Sequence, residues 1–545
     1  MMTKAMADTI LVNGDIVTMD PLLPRATALA VRDGKILAIG GDDDIADLKG
    51  PLTQVINAGG RMVLPGMQDT HIHLQDSGYQ YSAMADLTGA VTHDALLDRL
   101  SDFAAGHDGE WVLGVAYDTG AFSEANLSRA DLDRAVPDRP CHILSADLHS
   151  SCLNTAGCTA LGLTRDTPDP DNGLFARDAK GEPTGMLHES AMDWAHNRMP
   201  PVTDDDYVNG IAEAQALCHR NGLTGVIDPR VTERHARVYQ RMVKGGSLRL
   251  RVGGAGLVLP ELSVEDNVAG LVSMRETYSG GLFHLHSAKF FLDGVFENRT
   301  AAMIDGYQDA AGGNYPLMFD PDHLNALCVA FDALRFQIHM HVIGDYAARA
   351  GLDGVEAALR ANGAWPSLHQ LTHVECVHPA DIGRFAELGA VANMQCLWAR
   401  NAPTVTKVAV PMTGADRSAD IYPFGALIDA GATTTLSSDW GVSSLNPFEI
   451  MEVAMTRQKV GQPDDPPFHP EHRLTREDAL KGYTVNAAAA AWRPETGRLS
   501  RHTAADLIVI DRDILTCDTY EIGATEVLLT LFAGTEVHRS ERFNG

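Results

Sequence analysis

Two histidines two residues apart, His71 and His73, lie in the stretch Val63-Leu-Pro-Gly-Met-Gln-Asp-Thr-His-Ile-His-Leu74. On an extended strand, positions i and i+2 point to one face. The pair would then present two imidazoles side by side, an arrangement that suits a divalent transition metal. The bland alternative is a half-buried strand whose two histidines each make an ordinary hydrogen bond. An H-x-H pair alone leaves these readings level.

The residues downstream shift the balance. A second H-x-H pair, His339 and His341, lies in Ile338-His-Met-His-Val-Ile-Gly-Asp345. His373 follows in Leu371-Thr-His-Val-Glu375, and Asp439 in Leu436-Ser-Ser-Asp-Trp-Gly441. Lys289 sits among apolar residues in Ser287-Ala-Lys-Phe-Phe-Leu-Asp-Gly294. Partial burial there would lower its pKa and free the amine for chemistry, although that segment read alone favours a lysine snorkelling to a barrel mouth. A buried polar group left unpaired costs about 1–3 kcal/mol. Five histidines and an aspartate at successive strand ends are hard to explain as packing, and a metal centre would give most of them a partner at once.

These side chains need a scaffold that brings strand ends together. Residues 75–485 alternate short apolar runs with amphipathic helices. One such helix covers 94–103, with Leu96, Leu97, Leu100 and Phe103 on one face and Thr92 as its N-cap. Strand-like runs cover 224–228, 248–252, 288–292, 336–342, 371–374, 390–394 and 433–437. The repeat predicts an α/β fold built on a (β/α) barrel, whose catalytic groups gather at the C-terminal ends of its strands. The rival, a doubly wound open sheet, lacks a glycine-rich phosphate loop in this sequence. Residues 75–205 are too long for one βα loop and read as an insertion, a lid or one pocket wall. The β-rich segments 1–64 and 486–545 flank the barrel segment 65–485. Asn13-Gly14, Asp33-Gly34 and Ala533-Gly534 read as their hairpin turns. One small β-sandwich built from both chain ends would accommodate them.

Composition narrows the function. The chain has 545 residues and a net charge of -29, which disfavours nucleic acid as a partner. No apolar run has membrane length, and the first residues carry no signal-like apolar core. Eight cysteines are scattered without a C-x-x-C pair, the pattern of reduced thiols in a cytoplasm. A homodimer is the default oligomer.

The sequence resembles the amidohydrolase superfamily, in its YtcJ-like branch (the amidohydrolase-3 family). The resemblance covers nearly the whole chain. It rests on Leu64-Pro-Gly-Met-Gln-Asp-Thr-His-Ile-His73, Glu110-Trp-Val-Leu-Gly114, Asn154 after His149, Gly181-Glu-Pro-Thr-Gly-Met-Leu-His-Glu189, Lys289 with Asp293-Gly294, His341-Val-Ile-Gly-Asp345, Thr372-His-Val-Glu375, Ser438-Asp439 and Tyr483-Thr-Val-Asn-Ala487. It implies a distorted TIM (β/α)8 barrel with a composite, urease-like β-sandwich. It also implies one or two divalent metal ions, usually zinc. His71 and His73 would hold the more buried ion with Asp439, a carboxylated Lys289 would bridge, and His341 and His373 would hold the second. His339 has no ligand role in the pattern and is left as structural or a substrate contact. The sequence departs from the family at Ala116-Tyr-Asp-Thr119 and Gln395-Cys-Leu-Trp398, which puts the substrate in doubt and not the metal.

The implied function is hydrolysis of a small-molecule amide, a C–N bond other than a peptide bond, by a metal-activated hydroxide, as N-substituted formamide deformylases do. Asp439 would act as general base and then general acid. A deaminase or cyclic-amide hydrolase on the same scaffold is the alternative, which Lys289 disfavours. A scaffold protein without catalysis would be expected to have lost ligands. Trp398 and Trp440 could wall an apolar pocket, and Arg299 could bind a carboxylate, with a surface salt bridge as its bland reading. Glu375 or Asp345 could orient ligand histidines. His149 and Glu189 match family positions without an assignable step.

Overall fold

The computed structural model describes residues 6–117, 127–145 and 150–545. The chain divides into two compact units, Met1–Leu74 with Gln215–Gly545, and Gln75–Ala214. Among the described residues no helix is long and apolar enough to cross a membrane.

The first unit holds an eight-stranded sheet. Its strands, in chain order, are β1 (Met67–Asp69), β2 (Leu223–Val231), β3 (Arg251–Leu257), β4 (Phe283–Phe291), β5 (Gln337–Val342), β6 (Gln370–His373), β7 (Val391–Met394) and β8 (Thr433–Leu436). Every neighbouring pair is parallel and sequential, from β1–β2 to β7–β8. The sheet curls until its last strand meets its first. Asp439 N donates to the His71 carbonyl at 2.9 Å, His73 N donates to the Trp440 carbonyl at 2.8 Å, and the Thr70 and Thr435 hydroxyls lie 3.0 Å apart. The predicted TIM-type α/β barrel is therefore the observed fold. Its third strand, β3, runs over 251–257, a few residues beyond the apolar run 248–252 that announced it.

The chain ends form two further sheets. One contains Lys35–Gly40, Ala28–Arg32, Thr9–Val12 and Gln54–Asn57; the other contains Thr535–Arg539, Val527–Phe532, Leu507–Ile510, Met62–Pro65, Asp15–Val17 and Arg25–Ala26. Leu11, Leu29 and Val31 from the first share one buried core with Ile16, Val63, Leu507, Val509 and Leu529 from the second. Asp33-Gly34 turns a hairpin as predicted, with positive φ at both residues. Asn13-Gly14 does not. The strands it joins belong to different sheets, because a crossing from one layer of the sandwich to the other occurs there. The sandwich connects to the barrel at Pro65-Gly66, where a Cβ on Gly66 would lie 2.4 Å from Thr224 Oγ1. Arg251 of β3 grips Asp506 through Nε at 2.7 Å and Nη2 at 3.1 Å.

The second unit carries its own mixed six-stranded sheet, ordered Gly173–Arg177, Pro183–Glu189, Ser150–Leu153, Cys141–Ser145, Val112–Tyr117, Met84–Asp86. The predicted helix spans His93–Gly106. The Thr92 hydroxyl accepts Ala95 N at 3.2 Å, and Leu96, Leu97 and Leu100 are buried.

Candidate metal centre

Parallel register places the site. Across β4 and β5, Lys289 pairs with His339 and Phe291 with His341. Across β5 and β6, His341 pairs with Thr372 and Val342 with His373. Alternation on β5 sends His339 and His341 to the same face as Lys289. His71 and His73 depart from expectation. They lie just beyond β1, where the ladder has given way to single bonds, Ile72 N to the Ile227 carbonyl at 3.0 Å and His73 N to the Trp440 carbonyl at 2.8 Å. Their rings stand 5.5 Å apart and nearly perpendicular, at 83°. A regular strand would have set them side by side. Asp439 and His373 have φ of 51° and 77°, a left-handed backbone that costs a non-glycine residue energy and gathers at functional sites.

The histidines converge on one carboxylate. Asp439 Oδ1 lies 3.4 Å from His71 Nε2 and 3.3 Å from His73 Nε2. Ligand-type atoms of His71, His373 and Asp439 all lie within 4.8 Å of one another. The His373 ring is 5.1 Å from that of His71 and 4.4 Å from that of His341. Lys289 Nζ lies 4.5 Å from the centre of the Phe291 ring, which in turn is 5.4 Å from His341. Lys289, His71 and His373 are buried.

Three polar atoms in this group, Asp439 Oδ1, Lys289 Nζ and His373 Nδ1, are buried and make no hydrogen bond. Buried polar atoms are nearly always paired, so orphans clustered at one point need a partner. Protonation fits a cation. Burial, reinforced by the Lys289 charge, holds His71 well below the usual imidazole range and brings His341 down to about 3. Burial, then the neighbouring His341 and Lys289, lowers His373. Burial also brings the Lys289 amine down to about 7, partly opposed by Asp439. Neutral imidazoles, an uncharged amine and a carboxylate are the forms that ligate metal. His341 Nε2 lies 3.1 Å from the Gly294 carbonyl, which can only accept, so that nitrogen carries the proton and Nδ1 keeps the lone pair. The donor set therefore fits a divalent metal ion.

A second layer of side chains escaped sequence reasoning. Asp69 is buried and accepts the backbone N–H of His71 at 3.0 Å and of Ser438 at 3.1 Å. Asp293 is buried 3.9 Å from His341 Nε2 and accepts Ala302 N at 2.9 Å, Ile343 N at 3.0 Å and Gly344 N at 2.8 Å. The barrel interior is an amide ladder. Ser287 Oγ and Gln370 Nε2 donate to Gln337 Oε1 at 2.9 and 2.8 Å, Asn393 Nδ2 donates to Gln370 Oε1 at 2.9 Å, and Gln395 Nε2 donates to Ser437 Oγ at 2.6 Å.

Other candidates are placed differently. His339 is fully buried, with Nε2 2.7 Å from His71 Nδ1. Arg299 has its fork on Asp309, through Nη1 at 2.7 Å and Nη2 at 3.1 Å, the salt bridge of its bland reading. Asp345 accepts Ile304 N at 2.8 Å and pairs with Arg417, without touching a histidine ligand. The buried Glu375 carboxyl bonds the Tyr422 side chain and is pushed up to about 8 by burial. Trp398 is half-buried and stacks on His373, with centroids 5.5 Å apart at 10°. Trp440 is buried, and its carbonyl anchors His73. Glu189 ends a strand of the second unit with φ of 51°. His149, Asp118 and Thr119 lie outside the described residues.

The amidohydrolase family model matches residues 54–538. The chain belongs to the amidohydrolase family. As an amidohydrolase it is an enzyme, in the class that hydrolyses C–N bonds other than peptide bonds. It is 28% identical to N-substituted formamide deformylase of Arthrobacter pascens, over 98% of this chain and 99% of that one. It is 27% identical to Protein LONG AFTER FAR-RED 3 of Arabidopsis thaliana, over 98% of this chain and 92% of that one. The fold matches the crystal structure of an uncharacterized metal-dependent hydrolase from Pyrococcus horikoshii with a TM-score of 0.76 and 23% identity, covering 94% of this chain and 99% of the other.

Proposed function

We propose that this amidohydrolase hydrolyses the C–N bond of a small N-substituted amide, with His71, His73, Lys289, His341, His373 and Asp439 holding one or two zinc ions. The observation that carries the reading is the convergence of His71 Nε2 and His73 Nε2 on Asp439 Oδ1, at 3.4 and 3.3 Å. The bound ions supply Lewis acidity, which lowers the pKa of water from about 16 toward about 7.

The chain's own residues do the rest. The Asp439 carboxylate accepts the proton of the attacking water and returns it to the leaving nitrogen, base first and acid second. Its left-handed backbone and the Asp439 N–His71 O bond hold the carboxylate at the barrel mouth. Lys289, whose pKa burial brings down to about 7, offers a free amine in part near neutral pH, and that amine can add to carbon dioxide, with loss of one proton, to give a carbamate. That group would bear a negative charge with which Lys289 could help to hold the metal.

The test is a panel of N-formyl and N-acyl amines. Wild type should release the free amine and the acid, and Asp439→Asn should lose about 10²–10⁴-fold in kcat. Turnover of aminated heterocycles with release of ammonia, and none of the amides, would contradict the assignment.

A further inference from the structure

His71 Nδ1 lies 2.7 Å from His339 Nε2, and His339 Nε2 lies 3.0 Å from Thr372 Oγ1. All three side chains are buried. Histidines that ligate metals usually donate their second N–H to a carboxylate, a carbonyl or water. His71 meets another imidazole instead. Two neutral imidazoles sharing one hydrogen bond have linked tautomers, because one nitrogen donates and the other accepts. For His71 to offer Nε2 toward Asp439, its Nδ1 must carry the proton and donate it. His339 must then accept at Nε2 and carry its own proton on Nδ1, and that nitrogen is buried without a hydrogen-bond partner.

We propose that His339 is a positioning residue that fixes the ring angle and tautomer of His71, and that it does so as a neutral acceptor. It leaves His71 less electron-rich than a carboxylate partner would, so the ion is held less tightly and is more Lewis-acidic. The inference rests on the reading of His71 as a metal ligand. Nothing in the sequence pattern distinguishes this role, because it depends on the closure of the barrel, which brings His339 of β5 to His71 in the loop after β1.

The test is zinc binding by the full-length apo protein, measured by competition with a chelating indicator. His339→Ala should weaken zinc affinity by about 10–100-fold, the usual effect of losing such a partner. His339→Gln, whose amide oxygen accepts the same proton, should recover most of that loss. If His339→Ala does not fold, the tautomer of His71 decides alone. The tautomer has its own readout in wild-type protein labelled with 15N-histidine and loaded with zinc, where His71 should be protonated at Nδ1. Equal zinc affinity in wild type and folded His339→Ala would overturn the inference alone, as would a His71 ring protonated at Nε2. Failure of wild type to bind zinc at all would overturn the metal centre and this inference with it.

Discussion

Asp69 accepts the backbone N–H of Ser438 at 3.1 Å, joining the first barrel strand to the loop after the last. The same carboxylate accepts His71 N at 3.0 Å. One buried side chain thus closes the barrel and sets the backbone on both sides of Asp439 Oδ1. Asp69→Ala would orphan two buried N–H groups at about 1–3 kcal/mol each. Urea unfolding should show that loss, and the folded fraction should also bind metal less well. Loss of stability with full metal occupancy would mean that Asp69 serves the fold alone.

Lys289 sets stability against function. Its amine is buried with no partner, so Lys289→Met removes a desolvation penalty and keeps the volume. The variant, measured without metal, should melt higher than wild type, by about 1 °C for each kcal/mol gained in a chain of this length. It should also hold less metal per chain and turn over amides more slowly. An unchanged metal content would remove Lys289 from the centre.

Arg299 should be dispensable for the substrate. Its guanidinium is paired with Asp309, an ion pair of the kind worth about 0–1 kcal/mol when exposed. Arg299→Ala should leave KM unchanged for amides with and without a carboxylate, with a small fall in Tm. A large KM increase confined to carboxylate-bearing substrates would return Arg299 to the pocket.

His219 gives a pH test away from the centre. It is buried, donates to the Arg249 carbonyl at 2.9 Å, and is brought down to about 4 chiefly by burial. The unfolded chain takes up a proton below about 6.5, whereas the folded chain does so only near 4. The stability His219 contributes is therefore complete above pH 6.5 and is lost as pH falls toward 4, at no more than about 1.4 kcal/mol per pH unit. In His219→Gln the decline of Tm over this window should be shallower than in wild type. Identical slopes would show that the ring titrates alike in both states.

Much of this was legible in the sequence. Alternating apolar runs and helices specify a barrel, and Lys289, His339, His341, His373 and Asp439 could be placed at its strand ends from spacing alone. The missed parts depend on tertiary register. Asp69 meets a residue 369 positions away, and Gln395 meets Ser437 across 42. No local pattern encodes such pairs. His71 and His73 look like strand residues, yet the His71 N–H turns to the Asp69 carboxylate and the His73 N–H to the Trp440 carbonyl beyond β8. Arg299 looked available because its partner, Asp309, lies in a loop without periodicity. Asn13-Gly14 has the chemistry of a hairpin turn, but the crossing between sandwich layers uses the same dihedral freedom.

The most direct test of the central claim is metal content per chain, by elemental analysis of protein purified without chelator, in wild type and in His71→Ala. A centre built by His71, His73, Lys289, His341, His373 and Asp439 predicts one or two zinc-like ions in wild type and a clear loss in the variant. Wild-type protein that holds no metal, and binds none when zinc is added, would contradict the account.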